Sequence, residues 1–113
     1  MSNSERGSPS ENLINSLLQH YQTGRLSDAE KLAVEITREF PKHQFAWKVL
    51  GVLLEARGSK TEAVEANQTA VTLSPQDAEA HNNLGNTLKE LGRLKEAETS
   101  YNQAIALMPN YAE

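Results

Sequence analysis

The chain contains no cysteine, which excludes a disulfide frame, a thiolate metal site and a cysteine nucleophile. The absence is compatible with a reducing compartment. Positive charge is in deficit: 11 Lys and Arg stand against 15 Asp and Glu, a net charge of −4. Affinity for nucleic acid rests on clustered cations that neutralise phosphates, so no nucleic-acid partner is expected. No apolar run approaches the ~20 residues that span a bilayer. Residues 1–9 are polar and Ser-rich, without the apolar stretch of a secretory signal. They read as a disordered leader. A cytoplasmic location with no membrane contact is the expectation.

The constellations of catalysis are missing as well. There is no nucleophile–base arrangement, no phosphate-binding glycine loop and no metalloprotease motif. His20, His43 and His81 are isolated, with no metal-ligand spacing. Asn67-Gln68-Thr69 matches a glycosylation pattern but falls inside a helical period. The chain is therefore expected to hold no catalytic residues, no metal and no cofactor, and not to be an enzyme.

What is present is a repeat of 34 residues. Gln44–Asp77 overlays Ala78–Tyr111 without a gap. Leu50 falls on Leu84, Gly51 on Gly85, Leu54 on Leu88 and Gly58 on Gly92. Further on, Ala63 matches Ala97, Ala70 matches Ala104 and Pro75 matches Pro109. The segment 10–43 fills the same columns with Gly24, Ala29, Ile36 and Pro41. Three units of 10–43, 44–77 and 78–111 follow, with 112–113 opening a truncated fourth.

Each unit carries two amphipathic helical patterns parted by a glycine. The six helices are predicted near 10–23, 27–39, 44–57, 60–73, 77–91 and 94–107, and no segment reads as a strand. Gly24, Gly58 and Gly92 fit helix C-caps in the left-handed region. Ser27–Glu30 and Ser59–Glu62 read as capping boxes. Pro41, Pro75 and Pro109 fit the first turn of a following helix, with Ser74–Asp77 as one such start. Gly51 and Gly85 lie mid-helix, where glycine costs ~1 kcal/mol against alanine. They imply close crossing by the second helix of the unit, with Ala29, Ala63 and Ala97 as its small residues. Ile36, Ala70 and Ala104 would face the next unit. The first unit departs from the pattern, with Ser16 and Leu17 in the Leu–Gly columns. Asn67 is a polar residue in the column of Ala33 and Tyr101, and His81 takes the column of Trp47.

This pattern resembles the tetratricopeptide repeat (TPR) family. Trp47-x-x-Leu50-Gly51, Leu54, Gly58, Ala63, Ala70 and Pro75 carry the resemblance, and Leu84-Gly85, Leu88, Gly92, Ala97, Tyr101, Ala104 and Pro109 repeat it. It implies an all-α fold: a right-handed α-solenoid of three helix-turn-helix repeats. It also implies a concave groove, lined by the first helix of each repeat, that binds an extended peptide or a partner helix.

The matching columns place Asn15 and Leu18 of the first repeat in that groove. Lys48, Val49, Val52 and Glu55 come from the second, and Asn82, Asn83, Asn86 and Lys89 from the third. Ile14, Tyr21, Gln22, Phe45, Glu79 and Glu90 fall on the same faces. Asn15 and Asn83 share a column that carries a ladder of backbone-holding asparagines in the TPR arrays of O-linked N-acetylglucosamine transferases. Val49 interrupts it here. The amides then serve either to bind peptide backbone or simply as solvated polar residues. The basic clamp of chaperone-tail-binding TPR domains is absent, because its first-repeat columns hold Ile14 and Leu18. Glu30, Lys31, Glu62, Glu65, Lys95 and Glu98 are expected on the solvated convex face.

A protein-binding scaffold with a protein or peptide ligand is the expected function. Two alternatives stay open. One is self-assembly into a homo-oligomer through the last helix, with Ala104, Ile105 and Leu107 lacking a cover. The other is a recruiting arm of a larger enzyme such as a glycosyltransferase.

Overall fold

The computed structural model describes residues 8–108; the leader before Ser8, Pro109 and the start of a fourth repeat lie outside the described residues. Six helices follow in order: α1 (Glu11–Gln22), α2 (Leu26–Glu39), α3 (Gln44–Ala56), α4 (Lys60–Leu73), α5 (Ala78–Glu90) and α6 (Leu94–Leu107). No strand occurs among the described residues. Each helix packs on the next, and α3 also touches α5. The result is an α-solenoid of three helical hairpins, 45 × 26 × 22 Å. Every observed boundary lies within one residue of the sequence expectation.

The turn inside each hairpin is made by backbone alone. Gly24, Gly58 and Gly92 take φ of 79°, 90° and 80°, where a Cβ is strained. The next residue donates its N–H back to the end of the first helix: Arg25 to the His20 carbonyl at 2.8 Å, Ser59 to Leu54 at 2.9 Å and Arg93 to Leu88 at 2.9 Å. This is a Schellman closure, made three times. The same residue is at once the N-cap of the following helix, with its carbonyl taking the N–H of Ala29, Ala63 or Ala97. The expected capping boxes therefore do not form. Ser27 lies inside the first turn of α2, and Ser59 caps α4 without a side-chain bond. The closure holds ψ at the cap near 70°, away from the extended value a capping hydroxyl needs.

Side-chain capping is kept instead for the start of each repeat. Ser10, His43 and Asp77 accept from the N–H of Leu13, Ala46 and Ala80 at 3.3, 3.3 and 3.2 Å. Pro41 and Pro75 stand before these caps rather than in the first helical turn. They occupy the second position of turns closed by His43 N–H to Phe40 and Asp77 N–H to Ser74, both 3.0 Å. Each proline carbonyl is then bound by the aromatic of the next helix. Trp47 Nε1 donates to Pro41 at 2.8 Å, and His81 Nε2 donates to Pro75 at 2.9 Å. The exchange of Trp for His conserves one hydrogen bond across repeats.

Within each hairpin the two helices share a fixed volume. Leu17 of α1 and Ala33 of α2, in the columns of Gly51 and Asn67, are both fully buried in one core cluster. In the second repeat a Cβ on Gly51 would collide with Asn67 Oδ1. In the third, a Cβ on Gly85 would lie 2.8 Å from Tyr101 Cε1. Large opposite small alternates between the helices. Asn67 is 1% exposed, so the Asn-x-Thr pattern is closed to a glycan. Its Nδ2 donates to Thr87 Oγ1 at 3.0 Å, a buried polar link from the second repeat to the third, while its Oδ1 has no partner.

The two ends of the stack differ. On α3 and α5, Ala46, Leu50, Leu53 and Leu54, and Ala80, Leu84, Thr87 and Leu88, are buried. The same columns of α1 hold Asn12, Ser16, Gln19 and His20, and none is buried. That polar face suits an end of a stack. At the other end Ala104, expected without a cover, is fully buried, while Ile105 of α6 and its C-cap Met108 are 44% and 53% exposed.

Two outcomes test this packing. Gly85→Leu is expected to cost ~3 kcal/mol in urea unfolding, and adding Tyr101→Ala to restore much of it, reproducing the Leu17–Ala33 pair. Burial holds the His43 pKa below 6.5, so its folded state favours the neutral, bond-accepting ring. The cap is therefore present above pH 6.5 and lost as pH falls through the folded value. His43→Asn should gain ~0.5–1 kcal/mol over the parent at pH 5 and much less at pH 8, read by thermal unfolding.

Candidate functional site

The first helices α1, α3 and α5 line one concave side of the solenoid. A cavity of about 240 Å3 opens there, walled by Leu18, Tyr21, Phe45, Val49 and Val52. Its polar rim consists of Gln22, Lys48, Glu79 and Asn83. Residues of all three repeats contribute. A hollow of about 440 Å3 between α1 and α2 is larger but draws on one repeat alone. A second, of about 370 Å3, lies on the outer side across α2, α3 and α4.

The candidate groove residues divide by what the structure does with them. Leu18, Val49, Val52 and Asn83 meet at the cavity with Lys48. Val49 is 9% exposed and forms the floor. Among the described residues the Asn83 side chain makes no hydrogen bond; only its carbonyl is used, by Thr87 Oγ1 at 2.9 Å. Asn15, Asn86 and Lys89 are exposed, and Asn82 and Glu55 half-buried, outside the cavity lining. Asn86 is already engaged: its Oδ1 accepts from the Tyr101 hydroxyl at 2.6 Å.

Lys48 is engaged too. Its Nζ lies 2.9 Å from Asp77 Oδ2 and 2.6 Å from Glu79 Oε1. Burial alone would lower its pKa, but hydrogen bonds and charge from Glu79 and Asp77 outweigh that and raise it. Asp77 is desolvated as well, yet Lys48, Gln44 Nε2 at 2.9 Å and the Ala80 N–H hold its carboxyl below the usual range. One carboxylate thus caps α5, binds α3 and neutralises the cation of the groove. Sequence reading missed Asp77 in this role because its partner lies 29 residues away. Its place as a helix cap was the available signal.

The far part of the groove is acidic. Burial raises the Glu55 pKa, and the charge and hydrogen bonding of Glu90 raise it further, against a weak donation from Thr87 Oγ1 at 3.5 Å and the more distant Lys60. No cluster of His, Asp and Glu suited to a metal ion exists among the described residues. No described helix is long and apolar enough to cross a membrane.

The raised Glu55 pKa carries a stability penalty that is full above the folded value and vanishes below pH ~4.5, where the carboxyl is protonated in folded and unfolded chains alike. Glu55→Gln is expected to raise the melting temperature at pH 7 and to match the parent at pH 4, read by thermal unfolding.

Comparison with known proteins places this geometry. Two tetratricopeptide repeat models match, over residues 18–78 and 78–111. The human Protein O-mannosyl-transferase TMTC3 is 41% identical over 63 residues, which is 56% of this chain and 7% of that protein. An O-GlcNAc transferase of Thermobaculum terrenum superposes with a TM-score of 0.85 at 25% identity, over 98% of this chain and 21% of that one. The Yersinia enterocolitica type III secretion chaperone SycD, solved in complex with a peptide of the translocator YopD, superposes at 0.83 with 22% identity, over 89% of this chain and 77% of that one. The chain spans less than a tenth of the O-mannosyl-transferase it matches. With the period, the glycine closures and both models in agreement, the chain belongs to the tetratricopeptide repeat family.

Proposed function

We propose that this domain is a non-catalytic protein-interaction scaffold that holds an extended peptide or a helix of a partner in its concave groove. The observation that carries this is the cavity itself. Its apolar wall is assembled from α1 and α3, and Asn83 of α5 offers an unspent amide at the rim. An apolar pocket with a few convergent polar groups is the usual form of a recognition site. The amide offers a donor and an acceptor to a peptide backbone. The SycD complex is an instance of the same fold with a peptide bound.

A second reading is supported by the last helix. Ile105 and Met108 leave an apolar face on α6, and the polar outer face of α1 does not complement it. A second copy would therefore meet α6 against α6, as a closed pair. Mass rising with concentration in sedimentation equilibrium is the expected sign, and Ile105→Lys would abolish it. The likeness to transferases supports a third reading, in which the groove recruits substrate for a catalytic domain on the same chain.

The test of the groove is a random-peptide display selection against the protein. Selected peptides are expected to lose affinity about tenfold with Val52→Phe, which fills the cavity, and severalfold with Asn83→Ala. Asn83→Ala should leave the melting temperature within a degree or two. Glu62→Gln on the convex face should change neither.

A further inference from the structure

The two joints of the stack differ, and the repeat columns give the reason. Between the second and third repeats, side chains bond across the joint in the groove and in the core. Lys48 of α3 lies 2.9 Å from Asp77 and 2.6 Å from Glu79, and Gln44 donates to Asp77 at 2.9 Å. Behind them, Asn67 of α4 donates to Thr87 of α5 at 3.0 Å. One repeat earlier, Ile14 stands in the column of Lys48 with His43 in that of Asp77. Ala33 stands in the column of Asn67 with Leu53 in that of Thr87. Each of these pairs lacks the donor. Ser10, in the column of Gln44, caps α1 instead.

The first joint is held by apolar contact and an outer ion pair. Ile36 and Phe40 of the first repeat share one core cluster with Ala46 and Leu50 of the second. On the outer side Arg57 binds Glu30 at 2.9 Å, but its side chain is 52% exposed, where such pairs contribute little. The bond from Trp47 to Pro41 has its counterpart in His81 and Pro75, so it does not distinguish the joints. Apolar contact has no preferred direction, whereas a hydrogen bond weakens steeply with distance and angle. Hollows also flank the first joint on both sides. One of about 370 Å3 lies outside, beside Trp47, Leu50 and Leu54, and the cavity of about 240 Å3 lies inside, between α1 and α3.

We propose, resting on the peptide-groove reading above, that the first joint is the adjustable element of the groove and sets which anchors it takes. The second and third repeats move as one block. The first repeat shears against that block, so that Leu18 and Tyr21 of α1 approach or leave Phe45, Val49 and Val52 of α3. Asn83 on α5 keeps its place relative to α3, because Lys48 ties those helices through Asp77 and Glu79. Recognition is thereby divided. The tied side offers a fixed amide to the backbone of an extended segment, and the sliding side closes on its one large apolar side chain. Leucine, phenylalanine and tryptophan are all accepted at that anchor position.

The chain has no cysteine, so introduced pairs take spin labels without background. Ser27, Thr61 and Lys95 are exposed and share one column, one in each repeat. The first and third repeats are both terminal, so fraying acts on both pairs. Double electron–electron resonance on the free protein is expected to give a distance distribution about twice as wide for Ser27→Cys with Thr61→Cys as for Thr61→Cys with Lys95→Cys. Lys48→Ile with Asp77→His gives the second joint the groove side of the first and should widen its distribution, with circular dichroism confirming the helices. Equal widths in the parent, or no widening in the folded variant, overturn the adjustable joint and leave the groove reading standing. One peptide from the display selection, with its anchor exchanged among Leu, Phe and Trp, should keep its affinity within about threefold and narrow the Ser27–Thr61 distribution. Affinity confined to one anchor overturns the adjustable joint. Peptides indifferent to Val52→Phe and Asn83→Ala, or no selected peptides at all, overturn the groove reading itself.

Discussion

Everything in this fold depends on how closely the two helices of a repeat cross. That distance is set by one pair of facing positions, and their combined volume must stay nearly constant. Leu17 with Ala33, Gly51 with Asn67 and Gly85 with Tyr101 solve it in three ways. Close-packed interiors leave no slack for a second large residue. The cost of a mid-helix glycine is thereby explained, since it makes room for a side chain from across the crossing. In the second repeat that side chain is polar, and Asn67 uses its position to bind Thr87 of the next repeat. The bond ties two repeats at the price of one unpartnered carbonyl oxygen.

The connections make few demands on side chains. Inside each hairpin, one glycine and two backbone hydrogen bonds end a helix and start the next. Between hairpins, a proline turn presents its carbonyl to whichever donor the next helix carries, an indole in one repeat and an imidazole in another. Because backbone carries the turns, the outer and concave faces of the helices are released from structural duty. Those faces are where the repeats differ most.

The concave face carries three different kinds of group. One cation is placed in the groove and at once neutralised by the cap of α5 and its neighbour. Further along α3, Glu55 is half-buried, and its carboxyl is pushed above the usual range first by burial. Between these features lies an apolar hollow with a free amide at its rim. A structural surface would more simply be solvated throughout. This ordering of apolar, paired and unpaired groups is the physical content of the recognition reading.

Helix number, helix limits and hairpin turns were legible in the sequence, because each is decided by residues a few positions apart. Spacing of Leu50, Leu54, Gly58 and Ala63 is enough to write α3, its end and α4. The faces of Leu18, Val49, Val52 and Asn83 were legible as well, since repeat columns carry orientation from one unit to the next. Capping at Ser27 and Ser59 was misread: a local motif lost to a backbone closure that had already set ψ at the cap. What only the tertiary structure decided were the partners. That Lys48 meets Asp77 and Glu79, that Tyr101 binds Asn86, and that Asn67 reaches Thr87 all depend on the angle at which separate helices cross. Periodicity fixes which way a side chain points, but the distance to a group on another helix is set by packing volume, and no local pattern encodes it.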